Sequence, residues 1–162
     1  MAKEWPQIED GIREFIDRQP MFFVATACGD DELPVNCSPK GLWKLVTLGP
    51  HRVGYIDYHG SDNVTARHLN GGGRITIMLC SFDKRPVVVR LHGRGRAILG
   101  CEEEFQQLAR HFEGQINRHT RQIIVVEVEK VTTSCGYGVP RMKRPKQRDD
   151  LIRWHDRKFG PP

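Results

Sequence analysis

No stretch of this chain approaches the roughly 20 consecutive apolar residues that a membrane-spanning helix needs, so no such helix is expected. The opening residues, MAKEWPQIEDG, carry an early acidic Glu4 and no apolar core segment, which predicts no secretory leader. The five cysteines, at positions 28, 37, 80, 101 and 135, are odd in number, and none forms a C-x-x-C pair. A disulfide framework or a thiolate zinc site is therefore not expected. Free thiols fit a reducing compartment, so a cytoplasmic location is the expectation. The seven histidines lack H-x-x-x-H or other paired spacing, and no metal is assigned. Internal repeats, low-complexity runs and linkers are missing too, so residues 1–162 read as a single domain.

What is present fits a globular chain. The 162 residues are 38% hydrophobic and 28% charged, with a formal net charge of +5. Such a length can bury a core without staples. The basic excess suits an anionic partner without naming it. Much of it lies in PRMKRPKQRDDLIRWHDRK, near the C-terminal end. That tail reads as solvated surface or a partner contact before it reads as a nucleic-acid arm.

Periodicity supplies the elements. Ile8, Ile12, Phe15 and Ile16 form one stripe of a helix over 6–18, stopped by Pro20. MFFVATA, WKLVTL, VGYIDY, RITIMLC, VVVRLHGRGRAIL and QIIVVEVEKVTTSCGYG read as strands, with VNCSPKG extended between turns. Glycines inside VVVRLHGRGRAIL predict a bulge or sharp bend. A helix is predicted over 101–116, with three Glu in its first turn and Phe105, Leu108, Ala109, Phe112 and Ile116 on its buried face. DDLIRWHDRKFG closes the chain as a short helix. About seven strands joined mostly by turns too short for parallel crossovers predict an antiparallel sheet. Curling into a barrel would remove its edges. The expected class is mainly β (α+β), with short flanking helices.

HGSDNVTARHLNGGGR, residues 59–74, poses the functional question. Ser61 or Asp62 would cap a two-turn helix that ends at Asn70-Gly71. Ser61, Asn63 and Thr65 also supply polar side chains beside the free amides of the first turn, and Arg67 lies one turn on. Such donors can form a phosphate cup, although the Asp62 carboxylate competes for the same amides. Spacing alone leaves cap and cup equally open. GRGR at 93–96 lacks the third glycine and the strand-to-helix setting of a dinucleotide fingerprint. GGG at 71–73 reads as a tight turn. Lys40 by itself reads as a turn lysine facing water, and His68 as packed or capping. His92 reads as a surface strand residue, Cys135 as a small packed thiol.

FFVATACGDDELPVNCSPKG, GYIDYHGSDNVTARHL, GGGRITIMLCSF, VVVRLHGRGR and TTSCGYGVP stand in this order in the chain. In that order and spacing the sequence resembles the pyridoxamine 5′-phosphate oxidase-related FMN-binding split-barrel family, over about Met21 to Trp154. SPKG, GSxNxTxxHL and SCGYGVP carry most of the likeness. The true oxidase has a Ser-Arg-Lys run near the phosphate and an Arg upstream of a Lys in one strand. Here the run reads Asn63-Val64-Thr65 and that upstream Arg is missing, so the resemblance does not extend to oxidation of the vitamer.

The resemblance implies an antiparallel split β-barrel, with a helix over 1–20, a barrel over 21–134 and a segment over 135–162 reaching toward a partner. It implies a homodimer with FMN in two clefts between subunits. Ser38 and Lys40 would sit by the flavin or its phosphate. Ser61, Asn63 and Thr65 would hold the phosphate and ribityl chain, with Arg67 nearby. Tyr55, Ile56 and Asp57 would wall the cofactor, and Cys135, Gly136 and Tyr137 would approach from the C-terminal segment. Arg90, read from the residues alone, sits inside an apolar strand and either faces water on the outer side or pairs with an anion; a cleft role, binding phosphate, flavin or substrate, is the expectation. The implied activity is an FMN-dependent oxidoreductase acting on a small molecule by hydride transfer at the flavin. No catalytic residue is assigned. A non-catalytic flavin carrier or sensor is the alternative, as is a barrel holding deazaflavin or haem, with His59 or His92 as axial ligand.

Overall fold

A computed structural model of the chain describes residues 2–29, 34–60, 62–143 and 146–160. Eight strands form one sheet: β1 (Lys3–Trp5), β2 (Phe22–Ala27), β3 (Asn36–Lys40), β4 (Val46–Gly49), β5 (Arg52–Tyr58), β6 (Arg74–Cys80), β7 (Val87–Leu99) and β8 (Thr120–Cys135). The strand order is β3-β2-β6-β7-β8-β5-β4, with β1 on β8. Every pairing is antiparallel, as the short connections require. The fold is a split barrel of mainly antiparallel sheet with four short helices: α1 (Asp10–Arg18), α2 (Val64–Asn70), α3 (Glu103–Ala109) and α4 (Asp150–Phe159).

Two long strands tie the molecule together. In β8, Ile124 and Val126 enter the barrel core, where Val24, Ile77 and Leu91 meet Phe15 and Ile16 of α1. Ile123 and Val125 point the other way, into a second core with Phe105 of α3 and Phe112. Alternation with period 2 thus buries this strand on both faces, which explains its continuous apolar run. The bulge expected in β7 lies between His92 and Gly93, where pairing with β8 shifts register. A Cβ at Gly93 would lie 1.9 Å from the Glu127 carbonyl oxygen, so only glycine permits that approach.

Three elements differ from expectation. Residues 3–5 form β1, and α1 begins at Asp10 rather than near Pro6. The predicted helix over 101–116 is shorter, running over Glu103–Ala109 and tightening to a 3-10 turn over Arg110–Phe112. Glu113 takes a non-helical conformation and Gly114 a positive φ of 75°, so no third turn can follow.

Candidate functional site

Four segments converge at one end of the barrel. In β3, Asn36, Ser38 and Lys40 alternate onto one half-buried face. In β5, Asp57 follows Tyr55 on its side of the strand, beyond the core. In β8, Gln122 is paired in register with Asp57, and Arg121 is its neighbour. The fourth segment is the entry to α2. A cleft of about 380 Å³ opens between them, lined by Asn36, Ser38, Lys40, Asp57, Asn63, Thr65 and Arg121, with Phe22, Trp43, Ile56 and Val64 on its apolar side.

Asp57 is the hub. Its Oδ1 accepts from Lys40 Nζ at 3.3 Å. Its Oδ2 accepts from Arg121 at 3.1 and 2.8 Å, and from Gln122 Nε2 at 2.8 Å. Its side chain is 9% exposed. A carboxylate this buried is tolerated only when paired and hydrogen-bonded, and both conditions are met. The pairing also fixes two long cationic side chains that would otherwise be mobile. Asp62 lines the cleft as well, so with Arg67 paired to it three cations face two carboxylates, a local surplus of one positive charge.

The α2 entry is tied to the same hub. Gln122 Nε2 donates to Asn63 Oδ1 at 2.8 Å, and Arg121 to the Asp62 carbonyl at 3.0 Å. Asn36 Nδ2 donates to Thr65 Oγ1 at 3.1 Å and to Thr26 Oγ1 at 3.2 Å. His68 Nδ1 pairs with Thr26 Oγ1 at 2.9 Å and is wholly buried. The helix is two turns long and Asn63 makes no side-chain cap bond. Its first turn contributes little field by itself. Asp62 accepts from the Asn63 amide at 2.7 Å and from Arg67 at 3.0 Å. The carboxylate thus takes an amide at the helix entry, as its charge foretold.

Around the mouth, Trp43 Nε1 and Asn117 Nδ2 both donate to the Tyr58 hydroxyl at 2.6 Å, which donates to the Gln115 carbonyl. Burial pushes the Tyr58 phenol up, against those two donors. Tyr55 is raised more strongly, by burial first and then by Asp57. Both stay neutral, so neither supplies a phenolate.

Of the residues expected at the site, the cleft brings together Ser38, Lys40, Ile56, Asp57, Asn63 and Thr65. Ser61 lies outside the described residues. Tyr55 belongs to the barrel core beneath, with Lys40 Nζ 5.9 Å from its ring centre. Arg67 pairs with Asp62 on the surface rather than lining the cleft. Arg90 lies on the outer face, donating to Ser134 Oγ at 3.1 Å, because Val89 and Leu91 take the inward positions. Cys135, Gly136 and Tyr137 are also remote from the cleft within one chain, and Tyr137 is 83% exposed.

Arg121, Asn36 and Trp43 were not singled out by sequence. Arg121 opens an apolar strand run, the same signal that drew attention to Arg90. Its role depends on a partner 64 residues away, which only the β5–β8 register supplies. Arg121 and Lys40 together can hold an anion, and Phe22, Trp43 and Ile56 can line a flat apolar body beside it.

Comparison with known proteins agrees with this architecture. The family profile described as Pyridoxamine 5′-phosphate oxidase matches residues 8–135. A pyridoxamine 5′-phosphate oxidase family protein of Aspergillus flavus, ustO, is 35% identical over 138 residues, covering 84% of this chain and 55% of its own length. The chain thus spans about half of that curated relative. Among solved structures, HupZ of Group A Streptococcus superposes with a TM-score of 0.61 at 17% identity, covering 76% of this chain and 91% of HupZ. An FMN-binding protein of Syntrophomonas wolfei superposes with a TM-score of 0.52 at 18% identity, covering 74% and 80% of the two chains. At these identities the structural likeness establishes the fold.

Proposed function

The chain belongs to the pyridoxamine 5′-phosphate oxidase family, and from that premise we propose that its cleft binds FMN and that the protein is an oxidoreductase acting on a small molecule. The observation that carries the reading is the pair Lys40 and Arg121, both held on Asp57 at the rim of a cleft with an apolar side. FMN's phosphate carries close to two negative charges. Charge-assisted hydrogen bonds from two preplaced cations offset that charge at little entropic cost. Asn63 and Thr65, together with Ser38, offer polar contacts for the ribityl chain. Phe22, Trp43, Ile56 and Val64 offer apolar surface to the ring.

When bound, FMN supplies the redox chemistry, accepting or giving a hydride. The chain's contribution is to bind, orient and exclude water. Asp57 accepts from both cations and so holds Lys40 and Arg121 at the cleft. Asp57 is therefore a positioning residue. The remote placement of Cys135, Gly136, Tyr137 and Arg90 fits a homodimer, in which these residues of one subunit would approach the cofactor of the other. The five unpaired thiols fit a reducing cytoplasm. Among the described residues no helix is long and apolar enough to cross a membrane.

A haem reading draws on one observation, since His59 lines the cleft. His92 does not; it is held on the outer face by Thr76 and Thr132 at 3.1 Å each. Mass analysis of the small molecule released on denaturation decides between them. FMN with absorbance at about 450 nm supports the proposal; a haem or deazaflavin mass overturns it. Bleaching of that band by a nicotinamide donor separates an enzyme from a carrier.

A further inference from the structure

A second, larger cavity of about 680 Å³ adjoins the cleft. Pro39, Gly41, Leu42 and Leu151 line both, so the two spaces share a wall. The linings differ in character. The cleft presents cations and amides. The neighbouring cavity is walled by Met21, Leu42, Phe82, Met142 and Leu151. Met142 and Leu151 are 56% and 38% exposed, so two large apolar side chains face an open space with no protein cover among the described residues. The segment carrying Met142 is anchored, because its amide donates to the Phe82 carbonyl at 3.0 Å. Among the described residues the lining also carries Lys146 and Arg148 against one carboxylate, Asp150, a formal surplus of one positive charge.

From this lining we infer that the cavity is a ligand subsite for a small molecule with an apolar, ring-bearing or acyl body and one acidic end. Its volume lies within the range of small-molecule pockets. An apolar body would cover Met142 and Leu151, while the acidic end would meet Lys146 and Arg148. A neutral or cationic molecule of the same shape forfeits the second contribution. As a binding site the cavity stands on its own lining. As the substrate pocket it rests on the flavin reading, because only the shared wall brings its occupant beside the cofactor.

The test uses two fluorescent probes of matching ring structure, anionic 8-anilinonaphthalene-1-sulfonate and neutral N-phenyl-1-naphthylamine. Both are titrated into the full chain with and without FMN. The expected result is one sulfonate probe per chain, bound about tenfold more tightly than the neutral one, with FMN present or absent. Lys146→Glu with Arg148→Glu should bring the two probes level. Met142→Asp should weaken both while leaving FMN uptake unchanged. Equal affinity of the probes for the unaltered chain overturns the subsite, as does full displacement of the sulfonate by FMN or indifference to Met142→Asp. Failure of the chain to take up FMN while the probe pattern holds overturns the flavin reading and leaves the subsite standing.

Discussion

Asp57 accepts from three side chains, and two of its donors are the cations of the cleft. Removing one donor has two separable effects. Arg121→Ala leaves a buried carboxylate short of its bidentate partner, which should destabilise the fold by about 1–3 kcal/mol, read as a lower denaturation midpoint. It should also weaken FMN binding about tenfold or more, since a charge-assisted contact to phosphate is lost. Lys40→Ala should cost less stability, because its ammonium is the longer contact at 3.3 Å and is partly exposed. It should still reduce flavin occupancy, and full occupancy in that variant would remove Lys40 from the site. Asn63→Ala with Thr65→Ala tests the polar lip in the same assay, with reduced occupancy expected. Sequence could single out Ser38, Lys40 and Asn63 because they sit in local motifs. Arg121 escaped because its meaning is a pairing across strands. Arg90 and Arg121 look alike in one dimension, and strand alternation sends one to the outer face and the other to the cleft.

At the scale of elements, periodicity was most informative where burial was one-sided or continuous. The antiparallel sheet, the existence of the first helix and its end at Arg18, and the bulge in β7 could all be read ahead of the structure, although the helix starts at Asp10 and not near Pro6. The short β1 could not, since three residues carry no usable period. Periodicity extends the third helix too far because Phe112 and Ile116 continue its apolar stripe, although the chain leaves helical geometry at Glu113. Their burial comes from a 3-10 turn and the loop beyond it. The bulge gives a sharp prediction. Gly93→Ala places a methyl group 1.9 Å from a backbone oxygen, and backbone cannot yield as a side chain can. Equilibrium unfolding should show a loss of about 3 kcal/mol or more. A loss within experimental error would mean that the β7–β8 register is wrong at that point.

For the whole molecule, the C-terminal helix carries a pH-sensitive joint. His155 of α4 is fully buried, stacks on His119 at 4.6 Å with an 11° tilt, and bonds the His59 carbonyl. His119 in turn meets Asp156 at 3.2 Å, and Arg118 meets Asp156 at 2.6 Å. Burial holds His155 below the ordinary histidine value of 6.5, opposed by its bond to the His59 carbonyl. A lowered folded-state value means that the unfolded chain binds the proton more readily. Stability from neutral His155 is therefore complete above about pH 6.5 and is lost as pH falls through the depressed value. His92, also lowered chiefly by burial, acts in the same sense. The Arg118 bond holds Asp156 below its ordinary range, so that carboxylate stays charged through this window. Melting temperature should fall between about pH 7.5 and pH 5.5, and His155→Phe, which keeps the stack, should flatten that fall. An unchanged slope in the variant would assign the titration elsewhere.

The proposed grip of Lys40 and Arg121 on the phosphate of a flavin mononucleotide is open to a direct check. The most direct measurement is a pair of titrations of the purified chain, one with FMN and one with riboflavin, followed by quenching of flavin fluorescence. The two ligands share the ring and ribityl chain and differ only in the phosphate. FMN is expected to bind at least about 100-fold more tightly than riboflavin, which lacks the two charge-assisted contacts. Equal affinity for the two, or no uptake of either, would contradict it.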